Sequence, residues 1–512
     1  MHLCTLQEDA MQLPLNIVAH GSESLQQQIT QQIRCLIHDG RLAPGTRMPA
    51  TRELASDLGV SRNTVIGAFQ RLIAEGCLES REPVGTFVAQ RIIVDRVAPP
   101  VVTGQATPPF TSAARQDTGM HRPQPRLRPP QHWQPHHVAR PHAGQVGLDF
   151  WVGRPDARLF PLRSWGMLLA RALHSQPHQL CEYGDPQGML ALREAIASHI
   201  GATRGIATDA GRVLITNGIQ EGLSLLAQLL IAPGVEVAVE NPCYMGASRV
   251  FAAHGGVLAG VPVDDQGMRT DALPRKAALA YVTPSHQYPL GGTLPLERRE
   301  ALLAWARNCG AYVLEDDYDS DFFYDRAPLL ALKSLDHHDQ VVYLGTFSKT
   351  LGAGLRIGYM VLPHSLCQAA VNAKAMLNNS QSWLEQAALA AFMAEGGYEH
   401  HVRRLRRLYA DRRDHLRTAL GQWLPDWQVQ GAGSGMHLVA RVPPNAAPIH
   451  ELERAAHAQG VGIYGVERGN GQLLNVAADH PWRRIVLLGY ASLDEPQISD
   501  ALLRLRQVFP HS

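Results

Sequence analysis

The sequence predicts an α/β protein: a mostly parallel central sheet flanked by helices, preceded by a small helical domain that ends in a hairpin. Three observations carry this. From Gly147 to the C-terminus, short apolar runs of strand length alternate with helical periods, the pattern of a sheet covered on its faces by helices. From Ser24 to Ala89, three helical stretches are followed by two short β-prone runs. Between these regions, from about Gln90 to Val146, the chain turns irregular and Pro-rich, as in RPQPRLRPPQHWQPHH, and reads as an extended tether.

The expected organisation is therefore an N-terminal extension over 1–23, a first domain over 24–90, a linker over 91–146 and a large domain over 147–512. A chain of 512 residues, 45% hydrophobic and 18% charged, has the totals of a soluble globular protein with a large core. Its formal net charge of +1 excludes nucleic-acid binding by bulk charge, so any such contact must be a local patch. Seven cysteines without CxxC pairs read as reduced thiols, which fits the cytoplasm and argues against structural zinc. The first residues, with Glu8 and Asp9, do not form a secretory signal. No stretch reaches the roughly 20 apolar residues of a membrane helix.

In the first domain, LQQQITQQIRCLIH places Leu25, Ile29, Ile33, Leu36 and Ile37 on one helical face. Gly40 and the Pro44-Gly45 turn end that helix. A second helix is expected from Thr51, a good N-cap, as far as Gly59. Ser61 caps a third, with Val65, Phe69, Leu72 and Ile73 inward and Gly76 as its stop. CLESREPVGTFVA then reads as two strands around a turn at Pro83 to Gly85. Helix, tight turn, helix and hairpin is the order of a winged helix-turn-helix, whose last helix enters the major groove of double-stranded DNA by its N-terminus. Ser61, Arg62, Asn63 and Thr64 would sit there, with Arg47, Arg52 and Arg71 as phosphate contacts and Thr86 on the wing. Each of these is, taken singly, also an ordinary surface side chain.

In the large domain the chemistry gathers where strands end, the place where α/β sheets bind ligands. The chain has four lysines, Lys276, Lys333, Lys349 and Lys374, and Lys349 directly follows the apolar run VVYLGTFS. A lysine desolvated at such a position can act as an amine toward an aldehyde. Asp316, 33 residues earlier in LEDDYDSDF, is a carboxylate that could face a pyridine nitrogen, and Tyr318 could bond a ring oxygen. In TNGIQEG a strand turns into a helix, so the amides of Gly218, Ile219 and Gln220 would aim at an anion. Arg356 supplies a cationic fork, Thr346 and Ser348 hydroxyls, and Tyr244 a face to stack on a ring. Alone, each feature has a plainer reading: a strand-end lysine, an acidic loop or hard-cation site, a common α/β turn, a core tyrosine. Without His or Cys ligand spacing beside the acids, no metal is expected.

The first domain, in GRLAPGTRMPATRELASDLGVSRNTVIGAFQRLIAEG, resembles the GntR family head. YGDPQG, TNGIQEG, ENPCYMG, TPSHQYPLG, EDDYDSDF and GTFSKTLGAGLRIGY resemble fold-type I aminotransferases. Together the two halves resemble the MocR/GabR family of transcription regulators. The resemblance implies pyridoxal 5'-phosphate (PLP) as cofactor, joined through its aldehyde to Lys349, with Asp316 on the pyridine nitrogen and Arg356 on the phosphate. It also implies a homodimer with each head against the partner's body, in which Tyr183 reaches the partner's site.

One departure is informative. Aminotransferases hold the substrate carboxylate with an arginine on a late strand. The corresponding position in IVLLGYASLDE is Leu487, and Arg483, four residues earlier on an expected common strand, lies roughly 13 Å away. Losing that clamp argues against efficient transamination. The expected function is a DNA-binding regulator controlled by PLP itself, hence by vitamin B6 status, or by PLP together with an amine or amino acid effector whose acid group lies elsewhere or is absent. The alternative is a working aminotransferase that carries a DNA-binding head.

Overall fold

The computed structural model describes residues 13–17, 24–81, 85–89, 146–325, 330–431 and 433–509. The chain divides into two compact units at Gln124/Pro125. The expected linker up to residue 145 and residues 82–84 of the expected hairpin turn lie outside the described residues.

In the first unit, three helices span Leu25–His38, Thr51–Asp57 and Arg62–Ala74, and strands Leu78–Arg81 and Gly85–Val88 pair antiparallel. The core is the face the sequence marks: Ile29, Ile33, Leu36 and Ile37 meet Leu54, Val65, Phe69 and Leu72. Ser24 and Gln27 close the first helix with a reciprocal capping box. Thr51 is not the cap of the second helix; that position is Ala50, whose backbone N–H donates to the Glu53 carboxylate. Ile73 is not inward either but 37% exposed, because it falls one step past the buried face set by Val65, Phe69 and Leu72. Leu13, Leu15 and Ile17 of the expected extension pack on this core, and the Asn16 backbone exchanges two hydrogen bonds with the Gln32 side chain.

The second unit holds an eight-stranded sheet. In spatial order its strands are Val213–Thr216, Gly358–Val361, Val341–Thr346, Tyr312–Asp316, Leu279–Val282, Glu236–Asn241, Val257–Asp264 and Gly267–Met268. The pairings from Val341–Thr346 across to Val257–Asp264 are parallel, whereas Gly358–Val361 runs antiparallel to both of its neighbours. The central strands are buried throughout because helices cover both faces, which is why they read as unbroken apolar runs. Val257–Asp264 escapes that signature, since its first half is half-exposed.

A second, antiparallel sheet orders Gln428–Gln430, His437–Arg441, Ile485–Gly489 and Tyr464–Gly465. Its Val486 and Leu488 face a core built with helices Gly397–Trp423 and Glu495–Val508, while Ile485 and Leu487 face the opposite way, into a small cluster with Val439, Val466 and Leu473. Arg483 is not on that strand: it lies in the 3-10 turn Pro481–Arg484, held by the Ala477 carbonyl and Glu467. Among the described residues, no helix is long and apolar enough to cross a membrane.

The head core rests on few side chains, so Ile33→Ala, at a fully buried position, is expected to destabilise the head by about 2–5 kcal/mol. Hydrogen exchange of amides in the first helix of the full chain reads this directly. Unchanged protection there would contradict the packing described.

Candidate functional site

The ends of the parallel strands open into a cavity of about 620 Å³, a size common for small-molecule sites. Lys349 enters it from the turn of π-helix over Ser348–Gly352 that directly follows strand Val341–Thr346. Burial pushes the amine below the ordinary lysine value, against the pull of Asp319 and Asp316. Its Nζ donates to the Gly153 carbonyl at 3.3 Å. Burial alone does not single it out, because Lys374 is fully buried too; that lysine, however, lies on a helix and donates to the Pro186 carbonyl.

Three consecutive acids end strand Tyr312–Asp316, and the fold gives each a different task. Glu315 accepts the backbone N–H groups of Leu332 and Lys333. Asp317 accepts from Arg204 and the Tyr343 hydroxyl. Asp316 faces the cavity: its Oδ2 accepts from the Tyr281 hydroxyl at 2.5 Å, while its Oδ1 is buried with no partner among the described residues. Burial, outweighing the Tyr281 hydrogen bond, pushes the Asp316 carboxyl up to about 7. A buried acceptor without a donor is costly, and a protonated ring nitrogen is a group that would satisfy it.

A candidate anion cradle forms at the same edge of the sheet, at the carboxyl end of strand Val213–Thr216. Helix Ile219–Leu230 begins after Gly218, whose φ of +76° suits glycine. A Cβ there would sit 3.0 Å from the Arg356 guanidinium. Arg356 itself is left-handed (φ +54°) and donates through Nη2 to the Asn217 carbonyl at 2.7 Å. A non-glycine residue held this way stores strain, and here the conformation lays the guanidinium beside the helix N-terminus. Ile219, Gln220, Thr346 and Ser348 line the same cavity, as does Tyr244, whose hydroxyl burial pushes up to about 12. These groups, with Lys349 and Asp316, fit PLP: a cationic and amide-lined end for phosphate, an amine for the aldehyde and a carboxylate for the ring nitrogen.

Not every expected residue joins this set. Tyr183 is 85% exposed, outside the residues lining the cavity. Leu487 is fully buried and does not line the cavity. Tyr318 is in place, but its hydroxyl lies 3.0 Å from His286 Nδ1, which also contacts Asp319 Oδ2 at 2.9 Å. His286, Asp319 and His437 are all buried, with ligand-type atoms within 4.8 Å of one another. Chain spacing alone gives no hint of that cluster, since its members lie on three separate segments; His286, within TPSHQYPLG, is the one a motif could have flagged. Tyr281 was hidden inside an apolar strand run.

On the head, Ser61 Oγ accepts from the Thr64 backbone N–H and contacts the Thr64 hydroxyl, so both side chains serve the cap. Arg62 and Asn63 are exposed beside it, and Arg52 is exposed on the preceding helix. Arg47 bridges to Phe87 on the hairpin that carries Thr86. Arg71 points to Glu75, which it shares with Arg34.

Residues 25–88 match the family "Bacterial regulatory proteins, gntR family", and residues 152–471 match "Aminotransferase class I and II". The chain is 35% identical over 490 residues to the probable rhizopine catabolism regulatory protein MocR of Rhizobium meliloti, covering 95% of this chain and 94% of that protein. The chain belongs to the MocR/GabR family of helix-turn-helix transcription regulators. Other MocR/GabR relatives are the pyridoxine biosynthesis regulator PdxR of Corynebacterium glutamicum, 32% identical over 83% of this chain and 85% of that one, and TauR of Rhodobacter capsulatus, 34% identical over 95% and 96%. The MocR/GabR body has the fold of kynurenine aminotransferase from Pyrococcus horikoshii (TM-score 0.64, 26% identity, 72% of this chain and 91% of that one). LysN of Thermus thermophilus, an α-aminoadipate aminotransferase, is similar at TM-score 0.64 and 28% identity, over 72% and 92%.

The Asp316 environment has a pH signature. With its carboxyl raised from 3.8 to about 7, the folded cofactor-free chain holds a proton that the unfolded chain releases between those values. Stability therefore falls as pH rises through that window. Asp316→Asn is expected to lessen this part of the slope, to which Glu240 and Glu315, also pushed up to about 7 by burial, contribute as well, and to be more stable than wild type at about pH 8, by up to about 4 kcal/mol, with little difference at about pH 4. Urea unfolding of cofactor-free protein at the two pH values checks it. Identical profiles would contradict the buried, unpaired carboxyl.

Proposed function

We propose that this MocR/GabR regulator is a cytoplasmic, homodimeric DNA-binding protein whose body holds PLP, alone or with an amine effector, and whose DNA affinity follows the state of that site. The observation that carries the reading is the unpartnered buried Oδ1 of Asp316 in the same cavity as the Lys349 amine. When bound, PLP supplies an aldehyde that condenses with a primary amine with loss of water.

The chain's own residues do the rest. Lys349, desolvated and held by the Gly153 carbonyl, presents its nitrogen as a free amine more readily than a surface lysine does. Asp316 holds a proton on the ring nitrogen. Arg356 and the amides of Ile219 and Gln220 anchor the phosphate, whereas the expected Gly218 amide is taken by the Thr216 carbonyl; the Ser348 hydroxyl, which accepts from that of Thr346, is a further donor. Tyr244 covers the ring, and the Tyr318 hydroxyl faces its oxygen. Tyr183, exposed in one chain, would complete the site of a partner chain in that homodimer. On the head, Arg62 and Asn63 read base edges, Ser61 and Thr64 fix the helix end on the backbone, and Arg47, Arg52, Arg71 and Thr86 contact phosphate. Regulation rather than turnover is favoured by the buried Leu487, which leaves the customary carboxylate clamp without its arginine.

Wild-type protein titrated with PLP is expected to gain a visible absorbance band, and borohydride is expected to fix the cofactor on Lys349. Lys349→Ala should show neither. A wild type without the band would remove PLP from this reading. DNA binding at several salt concentrations tests the head: Arg62→Ala is expected to weaken binding and relax base preference, whereas Arg52→Ala should lower affinity for all sequences and reduce the salt slope by about 1. A tenfold change in DNA affinity on adding PLP corresponds to about 1.4 kcal/mol of preference between two states.

A further inference from the structure

Leu487 leaves open how this cavity would receive an acid group. Its cationic candidates can be taken in turn. Among the described residues lining the cavity these are Lys349, Arg356, Arg154, His401 and His437. Lys349 is the amine. Arg356 lies against Gly218 at the helix N-terminus, the phosphate end. His401 is kept below its ordinary value by burial, and its Nε2 bonds the Thr350 carbonyl. His437 is pushed down to about 4 by burial, and its Nε2 bonds the Pro289 carbonyl. Both imidazoles are neutral at pH 7. One permanent cation remains, Arg154.

Arg154 is also well placed and well held. It directly follows Gly153, whose carbonyl accepts from Lys349 Nζ and whose backbone lies so close that a Cβ would run into that nitrogen. The guanidinium is fixed through Nη2 to Asp149 Oδ2 at 2.9 Å, and the other Asp149 oxygen accepts from the Tyr464 hydroxyl at 2.6 Å. Asp149 is buried, whereas the Arg154 side chain is one-third exposed toward the cavity it lines. Among the described residues the fork's hydrogen bond is to Asp149, which leaves its other N–H groups for a ligand. This is a preorganised anion receptor beside an amine.

We propose that Arg154 is the acid receptor of this cavity and that the effector is an amino acid, its nitrogen toward Lys349 and its carboxylate on Arg154. The proposal rests on the PLP reading above. Moving the receptor from the late strand to the segment after strand Leu148–Asp149 changes which amino acids fit. It also removes the fixed geometry that an aminotransferase needs around the α-carbon.

The test uses full-length, PLP-loaded protein and two matched series: α- and ω-amino acids of increasing length, and the alkylamines that lack the acid group. Apparent Kd is read from the absorbance of bound PLP. Wild type is expected to bind at least one amino acid about tenfold or more tightly than its matched amine, a preference of ~1.4 kcal/mol. Arg154→Gln, which keeps a donor for Asp149 but removes the charge, should reduce that ratio to within about twofold while PLP affinity and melting temperature stay near wild type. Arg154→Lys should recover part of the preference. If Arg154→Gln loses its fold, the wild-type series and Arg154→Lys still decide the matter. Absence of acid preference in PLP-loaded wild type, or a preference that survives Arg154→Gln, overturns the Arg154 assignment alone. Failure of wild type to bind PLP overturns the PLP reading and this proposal together.

Discussion

The body of this regulator is organised around keeping opposite charges apart inside one low-dielectric cavity. Asp316 and Lys349 both lose water on folding, and each is shifted toward its neutral form by that loss. They are not joined by a direct hydrogen bond: Asp316 takes the Tyr281 hydroxyl and Lys349 the Gly153 carbonyl. The fold thus holds an acid and an amine on the lining of one cavity without joining them. A ligand with a basic ring nitrogen and an aldehyde would satisfy both at once, and the left-handed Arg356, packed closely against Gly218, would then serve its phosphate.

The surrounding structure supports that separation. Placing three acids in a row at the end of one buried strand would be prohibitive if they shared one environment. Backbone amides meet part of the demand of Glu315, and Arg204 with Tyr343 part of that of Asp317, yet burial still pushes Glu315 as well as Asp316 up to about 7 and leaves Asp317 Oδ1, like Asp316 Oδ1, without a partner among the described residues. The antiparallel strand Gly358–Val361 matters for the same reason. It returns the chain from Lys349 so that Arg356 arrives beside the Val213–Thr216 strand end and the helix that follows it.

At one late-strand position this chain carries Leu487 where the resemblance to aminotransferases leads one to expect the carboxylate-binding arginine. Leu487 is packed among Val439, Val466, Leu473 and Ile485, where an arginine would need both a partner and a path to the cavity. With that side of the site closed, the remaining guanidinium on the Gly153–Arg154 segment acquires its importance. A ligand that binds without being turned over suits a sensor, because the signal persists as long as the effector does.

Much of this was legible in the sequence. The strand runs ending in TNG, EDD and FSK, the Ser61 cap and the inward faces of the head helices follow from local periodicity and capping chemistry, which need no tertiary partner. Lys349, Asp316 and Arg356 were legible because each sits at a strand end within a recognisable motif. Local pattern misplaced Thr51 by one residue and turned Ile73 inward, since caps and helix faces are settled by neighbours as well as by propensity. It also put Arg483 on a strand that starts two residues later. What only the tertiary structure decided were relations between distant segments: Tyr281 on Asp316, His286 with Asp319 and His437, Leu13 to Ile17 on the head core, and Gly153 with Arg154 against Lys349. Sequence fixes which chemistry a residue can offer and its local direction. Which groups share one desolvated space depends on sheet order and packing, and burial in that shared space is what shifts their charges.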